Sequence, residues 1–319
     1  MSDGARALFP WGVWFEPTQP VRRLVALAQR AERLGATACF VADEGTDRDL
    51  YVTLTAILTG TDALSVAPAI TNPFSRHPVT TAAAIATLAE LAPGRVWNGL
   101  GVGGSRVLAP LGLAPERPFT ALREAFETTS ALLRGEAVGA AHLPWAPGPV
   151  PVAIAGRGPR VQHLAATRAD WVVLSATSVA ALAGEAARIR AAGHAGIAWS
   201  AYVAWSDDER PRVLRHFSYM AVDAPPAIRA AAGLDDERVA AVRSAMLAGR
   251  MNEAAALLPD VLVDQYAIAG APAHCAATIA ACAPYFDLFV LPMNDEPTCE
   301  AHIDACGAIL ADAQQLASA

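Results

Sequence analysis

Residues 21–50 read VRRLVALAQRAERLGATACFVADEGTDRDL, and three patterns succeed one another within them. In residues 21–34 the apolar Leu24, Leu27, Ala28, Ala31 and Leu34 recur at three and four positions, the period of a helix with one buried face. Residues 37–42 then run almost continuously apolar, which suits a strand covered on both faces. Residues 43–49, DEGTDRD, turn abruptly polar. A helix, a doubly buried strand and a polar loop at the strand's end make one unit of a parallel α/β fold.

The same alternation continues in both directions. Strands are expected at residues 11–15, 37–42, 64–69, 95–100, 150–155, 169–174, 197–205 and 286–292. Helical periodicity lies between them, as at 21–34, 79–91, 118–133, 179–192 and 272–283. Eight strands with helices between them, in a chain somewhat above the usual ~250 residues, predict an α/β (β/α)8 TIM barrel. An open doubly wound sheet would place a glycine fingerprint after its first strand, and WGVWFEPTQP at 11–20 has none. Residues 135–148 read as a Pro/Gly/Ala-rich loop, and 207–264 as a helical insertion between the seventh and eighth strands. No repeat or linker divides residues 1–319, so a single domain is expected.

Composition removes several functions. The chain has 319 residues, 54% hydrophobic and 17% charged, with mean hydropathy +0.30. It is long enough to bury a core without disulfides or metal. No apolar run reaches bilayer length, so no membrane span is expected. A net charge of −7 and a pI near 5.5 argue against nonspecific binding of nucleic acid. All 24 basic residues are arginine. Without lysine there is no Schiff base, hence no pyridoxal phosphate or lysine-aldolase chemistry, and no Walker A loop. Together with 73 alanines, the lack of lysine reflects a GC-rich coding composition.

Residues 1–14 lack the basic start and cleavage site of a signal peptide, and five cysteines without a C-x-x-C pair suit a reducing, cytoplasmic setting. Cys299, His302 and Cys306 stand at i, i+3 and i+7 on one helix face, a partial metal set. With no fourth ligand nearby in sequence, they are read as core packing, and no metal is expected.

In a barrel, chemistry belongs to the loops after the strands. Glu16 follows the first strand on the same side as Trp14, where a partly dry wall would suit a general acid; otherwise it is a solvated loop residue. Asp43 and Glu44 follow the second strand, and paired carboxylates there need work or a cation, for which Arg48 is at hand. Asp47 is expected to cap a helix beginning at Arg48. The third loop carries Ala69, Ile70, Thr71 and Asn72, then His77, read as structural, before Pro78 opens a helix. Gly101, Gly103 and Gly104 follow the fourth strand and let a flat ligand come close to the backbone. Ala155, Gly156, Arg157 and Gly158 precede the helix opened by Pro159, a natural anion site, with Ser175 in the neighbouring loop. A phosphate on one side and carboxylates on the other describe a phosphorylated planar cofactor lying across the mouth.

Three stretches carry a family resemblance: DEGTDRDLYVTLTAI, APAITNPFSRHPVTTAAAIATLAELAPGRVWNGLGVGG and PVAIAGRGPRVQHLAATRADWVVL. With their N-P-x-x-R-H-P and A-x-R-G-P segments, they resemble the bacterial luciferase-like family over residues 11–205, and more weakly at 265–283. The D-E-G-x-x-R-D segment resembles the deazaflavin-dependent reductase branch, which includes methylenetetrahydromethanopterin reductase. That resemblance implies a non-prolyl cis peptide at Ala69–Ile70 backing the cofactor ring, Asp43 in contact with the deazaflavin, and a phosphate cradle at 155–159. Gly104 stands where the family's sugar-phosphate dehydrogenases carry a catalytic glutamate, and Trp14 where the methanopterin reductases carry one. Neither substrate is therefore carried over.

The implied function is hydride transfer between coenzyme F420 and a small organic substrate, as an F420H2-dependent reductase of a C=C or C=N bond. Glu44 and Glu16 are the candidate proton donors. An FMN-dependent monooxygenase is the alternative, and a non-catalytic flavin-binding relative a further one. A homodimer is expected through the Ala-rich helix at 80–91, unless its alanines simply pack on their own barrel.

Overall fold

The computed structural model describes residues 9–223, 229–230, 232–293 and 298–318. Most of the segment read for a signal peptide, residues 1–8, and part of the insertion lie outside them.

Eight parallel strands follow the order β3-β2-β1-β10-β7-β6-β5-β4. They are β1 (Trp11–Phe15), β2 (Ala38–Val41), β3 (Ser65–Pro68), β4 (Asn98–Leu100), β5 (Val152–Ala155), β6 (Trp171–Ser175), β7 (Gly196–Ser200) and β10 (Leu288–Met293). Bridges Val66–Val96 and Thr71–Leu100 join β3 to β4, so the sheet closes into a barrel. The seam is tight. A Cβ on Gly99 would stand 1.8 Å from the Pro68 carbonyl oxygen, so only glycine permits this approach.

Strand alternation sorts the core into two shells. Ala38 and Phe40 of β2 point into the barrel with Ala67, Ala153, Val173, Ala198 and Val290. Cys39 and Val41 point outward against the helices. Helix α1 (Val21–Arg33) buries Leu24, Leu27, Ala28 and Ala31, each fully buried leucine contributing about 1.5–3 kcal/mol. Helices α2 (Leu50–Gly60), α3 (Pro78–Leu91), α4 (Ser105–Leu108), α5 (Pro118–Leu133), α6 (Pro159–Arg168) and α7 (Val179–Ala192) continue the outer layer. The helices Pro272–Cys282 and Cys299–Ser318 complete it.

Two expectations are corrected. The helix after β2 starts at Leu50, and Asp49 rather than Asp47 caps it, accepting from the Val52 amide at 3.0 Å. The seventh strand does not run through to residue 205. Ala201 makes a last contact with Val290, and the chain then leaves the barrel as β8 (Tyr202–Ala204) to pair with β9 (Ala267–Ala269). This small ribbon encloses the insertion, whose described part packs helix α8 (Arg210–Asp223) with helices Asp236–Leu247, Met251–Ala256 and Val261–Tyr266 around its own apolar cluster. Most of the alanines expected at a dimer contact are also used within the chain. Ala82, Ala86 and Ala89 of α3 are buried, and Ala82 and Ala83 pack with Leu132 and Leu143.

His302 is buried, but its Nδ1 faces Glu209 Oε2 at 3.0 Å and its Nε2 lies 3.5 Å from Cys306 Sγ. No group of three or more His, Cys, Asp or Glu able to hold a metal occurs among the described residues. All five cysteines are free and buried. No helix among the described residues is long and apolar enough to cross a membrane.

Candidate active site

The strand ends enclose a cavity of about 1290 Å³, its open mouth included. Trp14 and Glu16 both reach it from the end of β1, as alternation along the strand requires. Asp43 and Glu44 reach it from β2, Asp43 buried and Glu44 half-buried.

The Asp43 carboxylate is held on three sides. Thr71 Oγ1 donates to its Oδ2 at 2.7 Å, while Arg76 Nε and Nη2 reach its two oxygens at 2.8 and 3.2 Å. Arg76 also donates to Asp49 at 2.8 Å, and its guanidinium lies 5.1 Å from the Tyr51 ring centre. Burial works against charge on Arg76, but hydrogen bonds and charge from Asp43 and Asp49 outweigh it and raise its pKa. The cation beside Asp43 is thus Arg76 and not Arg48, which instead donates to the carbonyls of Pro17 and Thr18. His77 has the structural role expected of it, its Nδ1 accepting from the Val79 amide at 3.2 Å to cap α3.

The Ala69–Ile70 bond is cis, and both residues line the cavity. Thr71 does not. It is fully buried behind the wall and acts through Asp43. Asn72 lines the cavity with an uneven hydrogen-bond account. Its Oδ1 accepts from the Phe74 and Ser75 amides, each at 3.0 Å, whereas its Nδ2 is buried without a partner. A buried amide donor left open at a cavity wall suits an acceptor brought by a ligand. Gly103 and Gly104 lie alongside, and Gly103 has φ +71°, where a Cβ would come within 3.2 Å of Asn72 Cγ.

Across the mouth, Ala155, Gly156, Arg157 and Ser175 line the cavity. Gly158 lies just outside as the N-cap of α6, and no side chain caps that helix. Its first-turn amides and the exposed Arg157 are therefore suited to an anion. Ala176, next to Ser175, has φ +55°, the one non-glycine residue with positive φ among the described residues.

The sequence reading missed the wall made by the insertion and its flanks. Ser200, Tyr202, Tyr219, Pro292 and Met293 line the cavity. Behind them His216 stacks on Tyr202, with ring centres 5.0 Å apart and planes at 27°. The only signal was the i, i+3 spacing of His216 and Tyr219 on a helix, which does not say what that helix faces.

A closed parallel barrel, with an anion-ready loop facing a carboxylate wall, defines a class of cofactor-binding barrel enzymes. The family described as luciferase-like monooxygenase matches residues 6–286, and the chain belongs to that luciferase-like family. It is 26% identical over 290 residues to 5,10-methylenetetrahydromethanopterin reductase of Methanolobus tindarius, covering 84% of this chain and 89% of the relative. Its identity to the enzyme of the same name from Archaeoglobus fulgidus is 28% over 286 residues, covering 82% and 86%. In structure it is similar to coenzyme F420 dependent tetrahydromethanopterin reductase from Methanopyrus kandleri, with a TM-score of 0.80 at 22% identity, covering 94% of this chain and 98% of that one.

Proposed function

We propose that the chain transfers a hydride between coenzyme F420 and a small organic substrate, working as an F420H2-dependent reductase of a C=C or C=N bond. The observation that carries this reading is a cavity lined by Asn72, whose buried Nδ2 donor has no partner, with the uncapped start of α6 at its far rim. One edge suits the acceptors of a flat ring and the other suits its phosphate. The whole-length likeness to methylenetetrahydromethanopterin reductases supports F420 as the cofactor.

When bound, F420 supplies hydride chemistry at C5 of its ring. The chain's own part is to orient and protonate. Asp43, fixed by Thr71 and Arg76, would contact the cofactor; Ala69, Ile70 and Asn72 would back its ring; Gly103 and Gly104 would let it lie close. Residues 155–158 with Ser175 hold the phosphate. Glu44 and Glu16 supply the proton that a reduced C=C or C=N bond requires. The enzyme works in the cytoplasm as a homodimer.

A second reading, FMN-dependent oxygenation, draws on the monooxygenase description of the family. Titrating the purified protein with F420 and with FMN separates the two. F420 should bind and FMN bind weakly or not at all; tight FMN binding without F420 binding overturns the reading.

A further inference from the structure

Glu16 stands at the end of β1, and the insertion helix α8 is the element facing it. His216 on α8 places Nδ1 3.8 Å from Glu16 Oε1, with the two side chains 10% and 20% exposed. The imidazole cannot swing freely, because the Tyr202 ring lies against it and Tyr202 itself lines the cavity. Tyr219, one turn further along α8, lines the same wall. The insertion therefore delivers an oriented imidazole, not merely bulk, to one of the two candidate acids.

We propose that His216 is the positioning residue for Glu16: it holds the Glu16 carboxyl at the cavity wall and returns a proton to it. This rests on the hydride-transfer reading. As the substrate carbon gains a hydride from the reduced deazaflavin, the neighbouring atom of the former double bond takes a proton from Glu16. Glu16 regains one from His216, and His216 from solvent. The deazaflavin is oxidised by two electrons and the substrate reduced by two. Glu16 touches the cavity, while His216 acts through it.

The coupling is reciprocal and is readable in the cofactor-free protein. Ethoxyformylation of His216 by diethyl pyrocarbonate, followed by peptide mass spectrometry at pH 7, should be about threefold faster or more in Glu16→Gln, because the carboxyl that faces the imidazole Nδ1 is gone. Labelling of Glu16 by a water-soluble carbodiimide with glycinamide should likewise rise in His216→Leu. It should fall back toward the wild-type rate in His216→Asn, which keeps a donor at similar size; a purely space-filling role would not give that rescue. Unchanged labelling of both residues, or Leu and Asn variants that behave alike, overturns the pairing. F420 titration into His216→Asn should give a Kd within about twofold of wild type, since His216 is placed on the acid and not on the cofactor. Failure of F420 to bind the wild-type protein would sink the cofactor assignment, yet leave the labelling result to decide the Glu16–His216 pair on its own.

Discussion

At the scale of single residues, the site combines a carboxylate bound to an arginine with two that the proposed function makes candidates to give a proton. Asp43 is buried, with both oxygens bonded to Arg76, so it is suited to fixed contact with a cofactor. Replacing Arg76 by Met should leave that carboxylate buried without its cation. The expected loss is about 3–5 kcal/mol of stability, measured by urea unfolding, and F420 affinity should fall with it. An Arg76→Met protein as stable as wild type would show that Asp43 is solvated. Glu44 and Glu16 both face the cavity, and Glu44, directly after Asp43, is the favoured donor. In single-turnover reactions with prebound reduced F420 and an identified substrate, Glu44→Gln or Glu16→Gln should lose roughly 10²-fold in rate while still binding F420. Wild-type rates in both variants would move the proton source to water or substrate.

At the scale of elements, the position of the insertion matters because it carries Tyr202, His216 and Tyr219. It is tied to the barrel's last helix by Glu209 and His302. Burial opposes ionisation of Glu209, but the hydrogen bond and charge of His302, together with Arg212, hold its carboxyl below the usual carboxylate range. A depressed folded-state pKa contributes stability that is present above the unfolded value of about 4.3 and is lost as pH falls through the lower, folded one. Acid unfolding of the wild type should therefore draw on this pair below about pH 4.3. Glu209→Gln should lose about 3 kcal/mol near neutrality and show a flatter acid limb, read as Tm against pH. Parallel acid limbs for the two proteins would mean the pair carries no linkage. The same tether accounts for the partial metal pattern, since His302 turns Nδ1 to Glu209 of the insertion and Nε2 to Cys306, with both ring nitrogens engaged.

At the scale of the molecule, the barrel needs nothing from a second copy to close, because β3 and β4 meet through their own bridges. The proposed homodimer must therefore draw on outer helices. Much of the small-residue face of α3 is already spent on α5 and on the loop at 138–146, whereas Leu91 at the end of α3 is 56% exposed and Val52 on α2 is 63% exposed. Light scattering of the purified protein should give twice 33.2 kDa, and Leu91→Glu should reduce the dimer fraction. A monomeric wild type at working concentration would rule the dimer out.

Much of this molecule is written locally. The barrel was legible because helix and strand periods are set by the backbone within a few residues, so runs such as ACFVA and the α1 stripe announce themselves. Polar residues at strand ends followed from the same count, and Glu16, Asp43, Glu44 and the 155–157 loop do meet in one cavity. Partnership across the fold was not local. Arg48 was the nearest cation to Asp43 in sequence, but the chain's path after β3 brings Arg76 there instead. Residues 197–205 look like one strand, yet where that strand ends depends on what lies beside it: Val290 as far as Ala201, then β9. Composition and periodicity by themselves determined a lysine-free parallel barrel with its chemistry at one mouth. The tertiary structure alone decided which side chains pair there, and that the insertion folds back over the mouth to set His216 beside Glu16, because such contacts depend on how distant segments pack and leave no period in the sequence.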